Sequence, residues 1–533
     1  MTEDHDPAQD TDTMAWRAFS RLAEALAEPR AFPHPVQHIE RIDTHISLLV
    51  LTGRFAYKIK RPVKFDFADF STLELRHAAC LKELCLNRRT APELYMDVVS
   101  INQGADGLKV EGDGPVVDYA VRMRQFCNRN RLDRVLERGE LDAALCRQLA
   151  SNIADFHENA RQLHDTDAMR ASRDFEKALT DNHALLSREQ GALALCARTA
   201  EENQSRDRQL LLDSRSLLLA RAARGMIRDC HGDLHLENLI VEDGRVRAFD
   251  CVEFNDTLRC VDSMSDLAFL LMDLESRGAD AHANLVLNEY LEQSGDFEGP
   301  QALALFKSYR AMVRAKVAAL GLLAADCDPE QRSVLRAKLE RYLRLVRRYH
   351  QRTDRGALLI CSGLSGSGKS WLARRLGCAL GAIVLRSDVE RKRLYPDDSA
   401  PELRYSAPAT ERTYDRMTAI ARPLLECGWR VIADATCLKR WQRERLKGCA
   451  RAAGVPSLRL HAQAPLALLE QRIRARRACG GDASEADVAV LHAQQWHMDP
   501  VDDPHGPACL RVDTSRPVDW CLLLDRIERL GKH

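Results

Sequence analysis

No C-x-x-C occurs anywhere in a chain of 533 residues that carries 17 cysteines. With an odd count and scattered spacing, these cysteines have neither the ligand geometry of a zinc ribbon nor that of a redox pair. No apolar run approaches the ~20 residues that span a bilayer; Ala268–Met272 is a typical short one. The N-terminus, MTEDHDPAQDTDT, lacks the apolar stretch of a signal peptide. Net charge is missing too: 78 basic residues face 78 acidic ones, so no global field argues for nucleic acid or an anionic membrane. There is no internal repeat and no low-complexity segment. These absences predict a cytoplasmic protein with reduced, mostly buried thiols and no membrane partner.

What is present is ordinary globular composition, 45% hydrophobic and 29% charged, which excludes disorder along the whole chain and fibrous structure. At roughly 150 residues per domain the length suggests three or four domain-sized units. The first dozen residues read as a polar tail, and the region up to residue 40 as tail and lead-in helix. Short β-rich runs follow at Ser47–Thr52, Phe55–Lys60, Val98–Asn102 and Val116–Arg122, with helical spacing at Thr72–Arg89. Leu141–Arg224 is helical in pattern, Met226–Asp250 is strand–turn–strand, and helices resume from Ser263 to about Arg352. The last helix, Gln331–Arg352, carries eight basic residues and one acidic residue; a solvated face is the simpler reading, a nucleic-acid surface the alternative. Past Thr353-Asp354-Arg355-Gly356, apolar strands at Ala357–Ser362, Ile383–Ser387, Arg430–Asp434 and Ser457–Ala462 alternate with helices, which predicts a parallel sheet. Residues 41–352 and 353–533 are therefore expected to form two modules of different architecture.

Chemistry concentrates in two places. In the first, His231-Gly232-Asp233-Leu234-His235-Leu236-Glu237-Asn238 runs into Leu239-Ile240-Val241, and Asp243-Gly244 signals a hairpin that ends at Asp250. Asn238 then lies within about one residue of being opposite Asp250. An amide oxygen and a carboxylate suit a hard cation such as Mg²⁺, and Asp233 on the entering loop can accept the proton of an attacking hydroxyl. This HxDxxxxN, followed across a hairpin by an Asp, resembles the catalytic loop of the aminoglycoside phosphotransferase and choline kinase family, relatives of the protein kinases. The resemblance covers roughly residues 40–330, with Gln148–His157 similar to the helix before the loop and Asp262–Leu271 to the helix start after it. It implies an α+β kinase-like fold with a small β lobe and a helical lobe, Asp233 as catalytic base, and Asn238 and Asp250 as Mg²⁺ ligands. A kinase-like site also needs a strand lysine over the nucleotide phosphates and a helix glutamate to hold it. Lys58 and Lys60 share one face of their strand; Lys58 is preferred, with Lys60 left open, and Glu83 is the partner. Thr44–Gly53 has no GxGxxG, a departure that fits antibiotic-kinase relatives better than protein kinases.

In the second place, Gly363-Leu364-Ser365-Gly366-Ser367-Gly368-Lys369-Ser370 satisfies GxxxxGK[ST] between an apolar strand and a helix. Gly363, Gly366 and Gly368 let backbone N–H groups close around phosphates at a helix N-terminus. Lys369 reaches the β- and γ-phosphates and Ser370 offers its hydroxyl to Mg²⁺. Asp388 follows the next strand, with Arg391 one turn on; either Asp388 stands at a ligand site or it caps the helix. Ser-Asp-x-x-Arg resembles the polynucleotide kinase and zeta-toxin group of AAA-type P-loop kinases, which implies that Asp388 activates the acceptor hydroxyl and Arg391 binds substrate. Asp434, at the end of an apolar strand, occupies the Walker B position and could hold the Mg²⁺ water shell. Arg472 and Arg476, on the helix before Gly480-Gly481, resemble the lid arginines that close on ATP in that group.

The leading expectation is a bifunctional ATP-dependent phosphotransferase of the transferase class, acting with Mg²⁺ on alcohol groups of small molecules whose identity stays open. A regulatory ATP-binding protein is one alternative, and the intact Asp233, Asn238, Asp250 and Lys369 speak against it. A nucleic-acid end kinase is another, disfavoured but left open by the neutral balance and the absence of interleaved aromatics in Gln331–Arg352.

Overall fold

The computed structural model describes residues 7–65, 68–186, 194–323, 328–351, 356–396, 401–479, 484–500 and 509–530. The expected junction at 353 and the Gly480-Gly481 pair lie outside these residues. The chain divides into two compact units: Met1–Ala178 with Leu218–Leu270, and Leu179–Leu217 with Leu271–His533.

The first unit is built on a six-stranded antiparallel sheet, in the order Glu40–Asp43, Ser47–Leu51, Phe55–Lys60, Val116–Arg124, Tyr95–Gly104, Gly107–Val110. Alternation decides its two faces. Leu48, Val50, Tyr57 and Ile59 point one way, into a core closed by Phe19, Leu22 and Leu26 of the helix Pro7–Ala25 and the residue that follows it. That helix starts at Pro7, within the stretch read as tail, and proline suits a first helical turn because its missing N–H would have no partner there. Lys58 and Lys60 therefore point the other way, toward the helix Leu73–Asn87, whose first turn is capped by Thr72 accepting from Leu75 N. The helix Ala143–Asn159 buries Leu149 and Ile153, while Phe156, the third residue of the same apolar spacing, is only partly buried. The hairpin Leu239–Glu242/Arg245–Ala248 turns through Asp243 and Gly244, both with positive φ; that is the two-residue turn whose twist matches its strands.

The second unit contains a five-stranded, all-parallel sheet in the order Ile383–Arg386, Arg430–Asp434, Ala357–Ser362, Ser457–Gln463, Cys509–Asp513. The strand Cys509–Asp513 went unrecognised in the sequence. Helices enclose the central strands, which is why they read as unbroken apolar runs. The helix Pro329–His350 buries Leu339, Tyr342, Leu343 and Val346. On its other side Arg336 and Arg344 pair with Glu340, as on a solvated face. No described helix is long and apolar enough to cross a membrane.

Candidate active sites

In the first unit the strand lysines meet their helix partner. Lys58 Nζ donates to Glu83 Oε1 at 2.8 Å and to Asp250 Oδ1 at 2.5 Å. Lys60 donates to Glu253 and lies 2.6 Å from Glu83 Oε2. Glu83 is thus enclosed between two ammonium groups, and of the two lysines Lys58 is the one that extends to Asp250. Burial alone would raise the Glu83 carboxyl, but the two lysines outweigh it and bring its pKa down to about 2. Burial would likewise discharge Lys58, yet Asp250 and Glu83 hold it well above the ordinary lysine range. At Glu253 burial wins over the attraction of Lys60, and the pKa is raised.

The loop of residues 231–238 is held by Asp266, which is fully buried and accepts from His231 N at 3.1 Å and Gly232 N at 2.8 Å. His157 Nε2 stands 3.2 Å from the same carboxylate. Gly232 has φ +86°, and a Cβ there would come within 2.9 Å of Leu258 O, so the turn that delivers Asp233 admits no side chain. His231 is buried, its pKa lowered by that burial, and its Nε2 pairs with Phe249 O at 3.0 Å. Asp233, with a side chain 39% exposed, accepts from Asn238 Nδ2 at 2.9 Å and lies 3.3 Å from His235 Nε2.

The hairpin then sets the other partners. Leu239 pairs with Ala248, and Phe249 N donates to Asn238 O at 3.0 Å, which leaves Asn238 one residue out of register with Asp250. Asp250 takes φ +62° and its N–H donates to Tyr95 OH at 3.1 Å. A non-glycine residue in that conformation is strained and is kept only where its surroundings over-determine it. Because Asn238 Nδ2 faces Asp233, Oδ1 is the amide atom left for a cation. Together with the second oxygen of Asp250 it makes the oxygen-only donor set that Mg²⁺ accepts. A cleft of about 630 Å³ near the loop is lined by Arg89, Phe156, His231 and Arg247, and by none of Lys58, Asp233, Asn238 or Asp250.

In the second unit the P-loop follows the central strand Ala357–Ser362 and opens the helix Lys369–Leu380. Gly363 lies at φ +144°, and a Cβ would meet Ala462 O at 2.4 Å; at Gly366, φ +79°, it would meet Leu469 O at 2.7 Å. The helix has Gly368 at its N-cap and no side chain capping it, so its first amides remain to be satisfied by something else. Ser367 Oγ and Asp434 Oδ1 are buried with no hydrogen-bond partner among the described residues, and Lys369 is 6% exposed. Uncapped amides, a lysine and two orphaned oxygens fit a phosphate group and its cation. Burial raises the Asp434 pKa against the pull of Lys369 and Arg386.

Asp388 lies in the first turn of the helix Ser387–Leu394, whose N-cap is Arg386, so it does not cap that helix. Arg391 Nη1 donates to Arg404 O at 2.9 Å and Thr410 Oγ1 at 3.2 Å. Arg472 donates to Thr514 O at 2.7 Å, Thr514 Oγ1 at 3.0 Å and Gly366 O at 3.3 Å; it braces the P-loop from outside. Arg476 donates to Ala486 O at 2.8 Å. Sequence reasoning missed Glu253, Asp266, Tyr95, Arg386 and Gln494, whose Oε1 accepts from Ser365 N at 2.9 Å in the P-loop. Glu253, three residues past Asp250, offered a local signal; the others did not.

Comparison with known proteins finds two family matches, the first of which runs through parts of both compact units. Residues 131–306 match the Phosphotransferase enzyme family and residues 358–501 match an AAA domain. The family matches together define a phosphotransferase with a kinase-like segment at residues 131–306 and a P-loop kinase-like segment at residues 358–501. The chain belongs to the same family as the uncharacterized protein Rv2004c of Mycobacterium tuberculosis, to which it is 30% identical over 499 residues, 91% of this chain and 94% of that one. The uncharacterized protein Mb2027c of Mycobacterium bovis matches to the same extent, 30% over 499 residues, with 91% and 94% covered. Among solved structures, choline kinase from Cryptosporidium parvum is 12% identical, with 58% of this chain and 89% of that one covered and a TM-score of 0.38. The APS kinase CysC of Mycobacterium tuberculosis is 24% identical, with 33% and 99% covered and a TM-score of 0.25.

Proposed function

We propose that the chain is a two-headed ATP-dependent phosphotransferase, each segment moving the γ-phosphoryl group of ATP to a hydroxyl of a small molecule. The observation that carries the reading is Lys58 bridging Glu83 and Asp250 at 2.8 and 2.5 Å beside the Asp233–Asn238 pair. A buried ammonium fixed by two carboxylates is a preorganised positive charge, and phosphoryl transfer needs mainly positioning and charge stabilisation. Lys58 would ligate the nucleotide phosphates, and Asn238 and Asp250 would hold Mg²⁺, which neutralises phosphate charge when bound. Asp233, half-exposed and accepting from Asn238, would take the proton of the acceptor hydroxyl. The acceptor oxygen forms a bond to the γ-phosphorus, the bond to the β–γ bridging oxygen breaks, and ADP leaves.

In the second segment the same accounting uses the P-loop amides and Lys369 for the phosphates, Ser370 and Asp434 for Mg²⁺, and Asp388 as proton acceptor, with Arg391 toward the acceptor. Arg472, which also braces Gly366, and Arg476 would be the arginines that close on the nucleotide. Both substrates are small molecules handled in the cytoplasm.

The test is a mass-spectrometric screen of metabolite pools for ATP-dependent gains of one phosphoryl group, run with the native chain and two variants. Asp233→Ala should lower transfer by the first segment by about 10²–10⁴-fold while leaving nucleotide affinity near native. Asp250→Ala should weaken both. Equal loss of nucleotide affinity in the two variants would sink this division of roles.

A further inference from the structure

The helix Asp280–Ser294 lies in the stretch that matches the phosphotransferase family, yet it belongs to the same compact unit as the P-loop sheet. It also holds the edge of that sheet. Ile383–Arg386 is an outermost strand, and an edge strand leaves backbone groups to be satisfied. Asn288 treats it as a neighbouring strand would: Oδ1 accepts from Val384 N at 2.7 Å and Nδ2 donates to Ala382 O at 3.0 Å. Asn284 Nδ2 donates to the same carbonyl at 3.2 Å. One turn on, Glu292 Oε1 accepts from Arg386 Nη1 at 2.6 Å, and the Glu292 carbonyl accepts from Arg393 Nη2 at 2.6 Å. Arg386 and Arg393 stand at the two ends of the helix Ser387–Leu394, the element that carries Asp388 and Arg391. Arg386 is only 5% exposed, and its Nε lies 3.6 Å from Asp434 Oδ2. One guanidinium thus sits between a carboxylate of the phosphotransferase stretch and the carboxylate at the Walker B position.

We propose that Glu292 is a positioning residue for the P-loop site: by sharing Arg386 at 2.6 Å it holds that guanidinium to a looser 3.6 Å contact with Asp434, so that a divalent cation can compete for the carboxylate. This rests on the reading of the P-loop segment as a Mg·ATP site. An arginine and a cation compete for one buried carboxylate, because either alone satisfies the charge that burial leaves exposed. With Glu292 made neutral, Arg386 loses its 2.6 Å partner and turns to Asp434. A hydrogen bond to a charged group decides about a tenfold change in such a competition. The stretch that matches one family therefore sets the metal affinity of the segment that matches the other.

The experiment is calorimetric titration of the full chain carrying Asp250→Ala, so that only the P-loop site reports. β,γ-Imido-ATP is titrated at stepped Mg²⁺ concentrations and in EDTA. Adding Glu292→Gln should raise the Mg²⁺ concentration for half-maximal binding about tenfold, with affinity in EDTA unchanged. Adding Arg386→Met as well should return the midpoint to the parent value or below it, and Arg386→Met alone should lower it. Asn288→Ala loosens the sheet edge without altering charge and should leave the midpoint in place. An unmoved midpoint in either Glu292→Gln or Arg386→Met overturns the proposal, as does a shift that Asn288→Ala reproduces in full. Failure of the Asp250→Ala parent to bind the analogue at all overturns the P-loop reading itself and the proposal with it.

Discussion

Glu83 is the residue on which the first site turns, because its carboxylate is shared by both strand lysines. Its two oxygens take Lys58 and Lys60 at 2.8 and 2.6 Å, and its side chain is fully enclosed. Removing one partner of a buried ion pair leaves charge without compensation, at a cost of about 3–5 kcal/mol. Glu83→Gln should therefore destabilise the chain by that order in chemical denaturation near neutral pH. The effect has a pH signature. The Glu83 pKa falls from 4.5 in the unfolded chain to about 2 in the fold, so its contribution is present above about pH 4.5 and is lost as pH falls toward 2. The stability gap between native chain and Glu83→Gln should narrow on acidification below about pH 4.5. Glu253 shifts upward through burial and, in part, through the Glu83 charge, so its opposing contribution is smaller in Glu83→Gln. A gap that stays constant down to pH 3 would show that Glu83 carries no such charge. The lysines and Glu83 were legible because strand alternation and one helix face place them. Their third and fourth partners, Asp250 and Glu253, come from nearly two hundred residues away, and no local pattern announces that meeting.

At the scale of elements, the hairpin and the P-loop were readable for a common reason: their conformations are dictated by residues within a few positions. Asp243-Gly244 sets one turn, and the glycines of 363–368 set the other. Gly363 is the sharper test. Its φ is +144°, and an added methyl group would stand 2.4 Å from the backbone oxygen of Ala462, where nothing flexible can move aside. Gly363→Ala should destabilise the P-loop segment by about 2 kcal/mol or more and abolish nucleotide binding there, read as a lower melting temperature and a lost calorimetric signal. A variant that melts and binds like the native chain would mean that the loop has room the packing denies. What stayed illegible at this scale was which arginines are engaged by their own chain. Arg472 and Arg476 look alike on their helix, yet their acceptors, Gly366, Thr514 and Ala486, lie on other segments. The edge-holding helix Asp280–Ser294 was unreadable likewise: Asn284 and Asn288 look like ordinary solvated polar residues until the strand beside them is known.

At the scale of the whole molecule, the two candidate sites draw on separate sets of residues. Lys58, Glu83, Asp233, Asn238 and Asp250 all fall in the first compact unit; Gly363–Ser370, Asp388 and Asp434 all fall in the second. The chain's own order hides part of this, because Leu179–Leu217 and Leu271–His350 precede the P-loop yet belong to its unit. Under the proposed function a buried strand lysine and an uncapped helix N-terminus are two unrelated phosphate-binding devices, which predicts two independent nucleotide sites. Lys369→Ala removes the point charge from the β- and γ-phosphates of one, and Asp250→Ala removes a cation ligand from the other. Calorimetric titration with a non-hydrolysable ATP analogue and Mg²⁺ should give a stoichiometry near two for the native chain, near one for either variant and none for the double variant. The Glu292–Arg386 contact adds a refinement, since it tunes the second site from a helix outside the P-loop stretch without supplying a ligand to it. Its loss should change the Mg²⁺ dependence of one site and the stoichiometry of neither. A native stoichiometry of one, lost completely through either single substitution, would instead mean that both residue sets build one composite site.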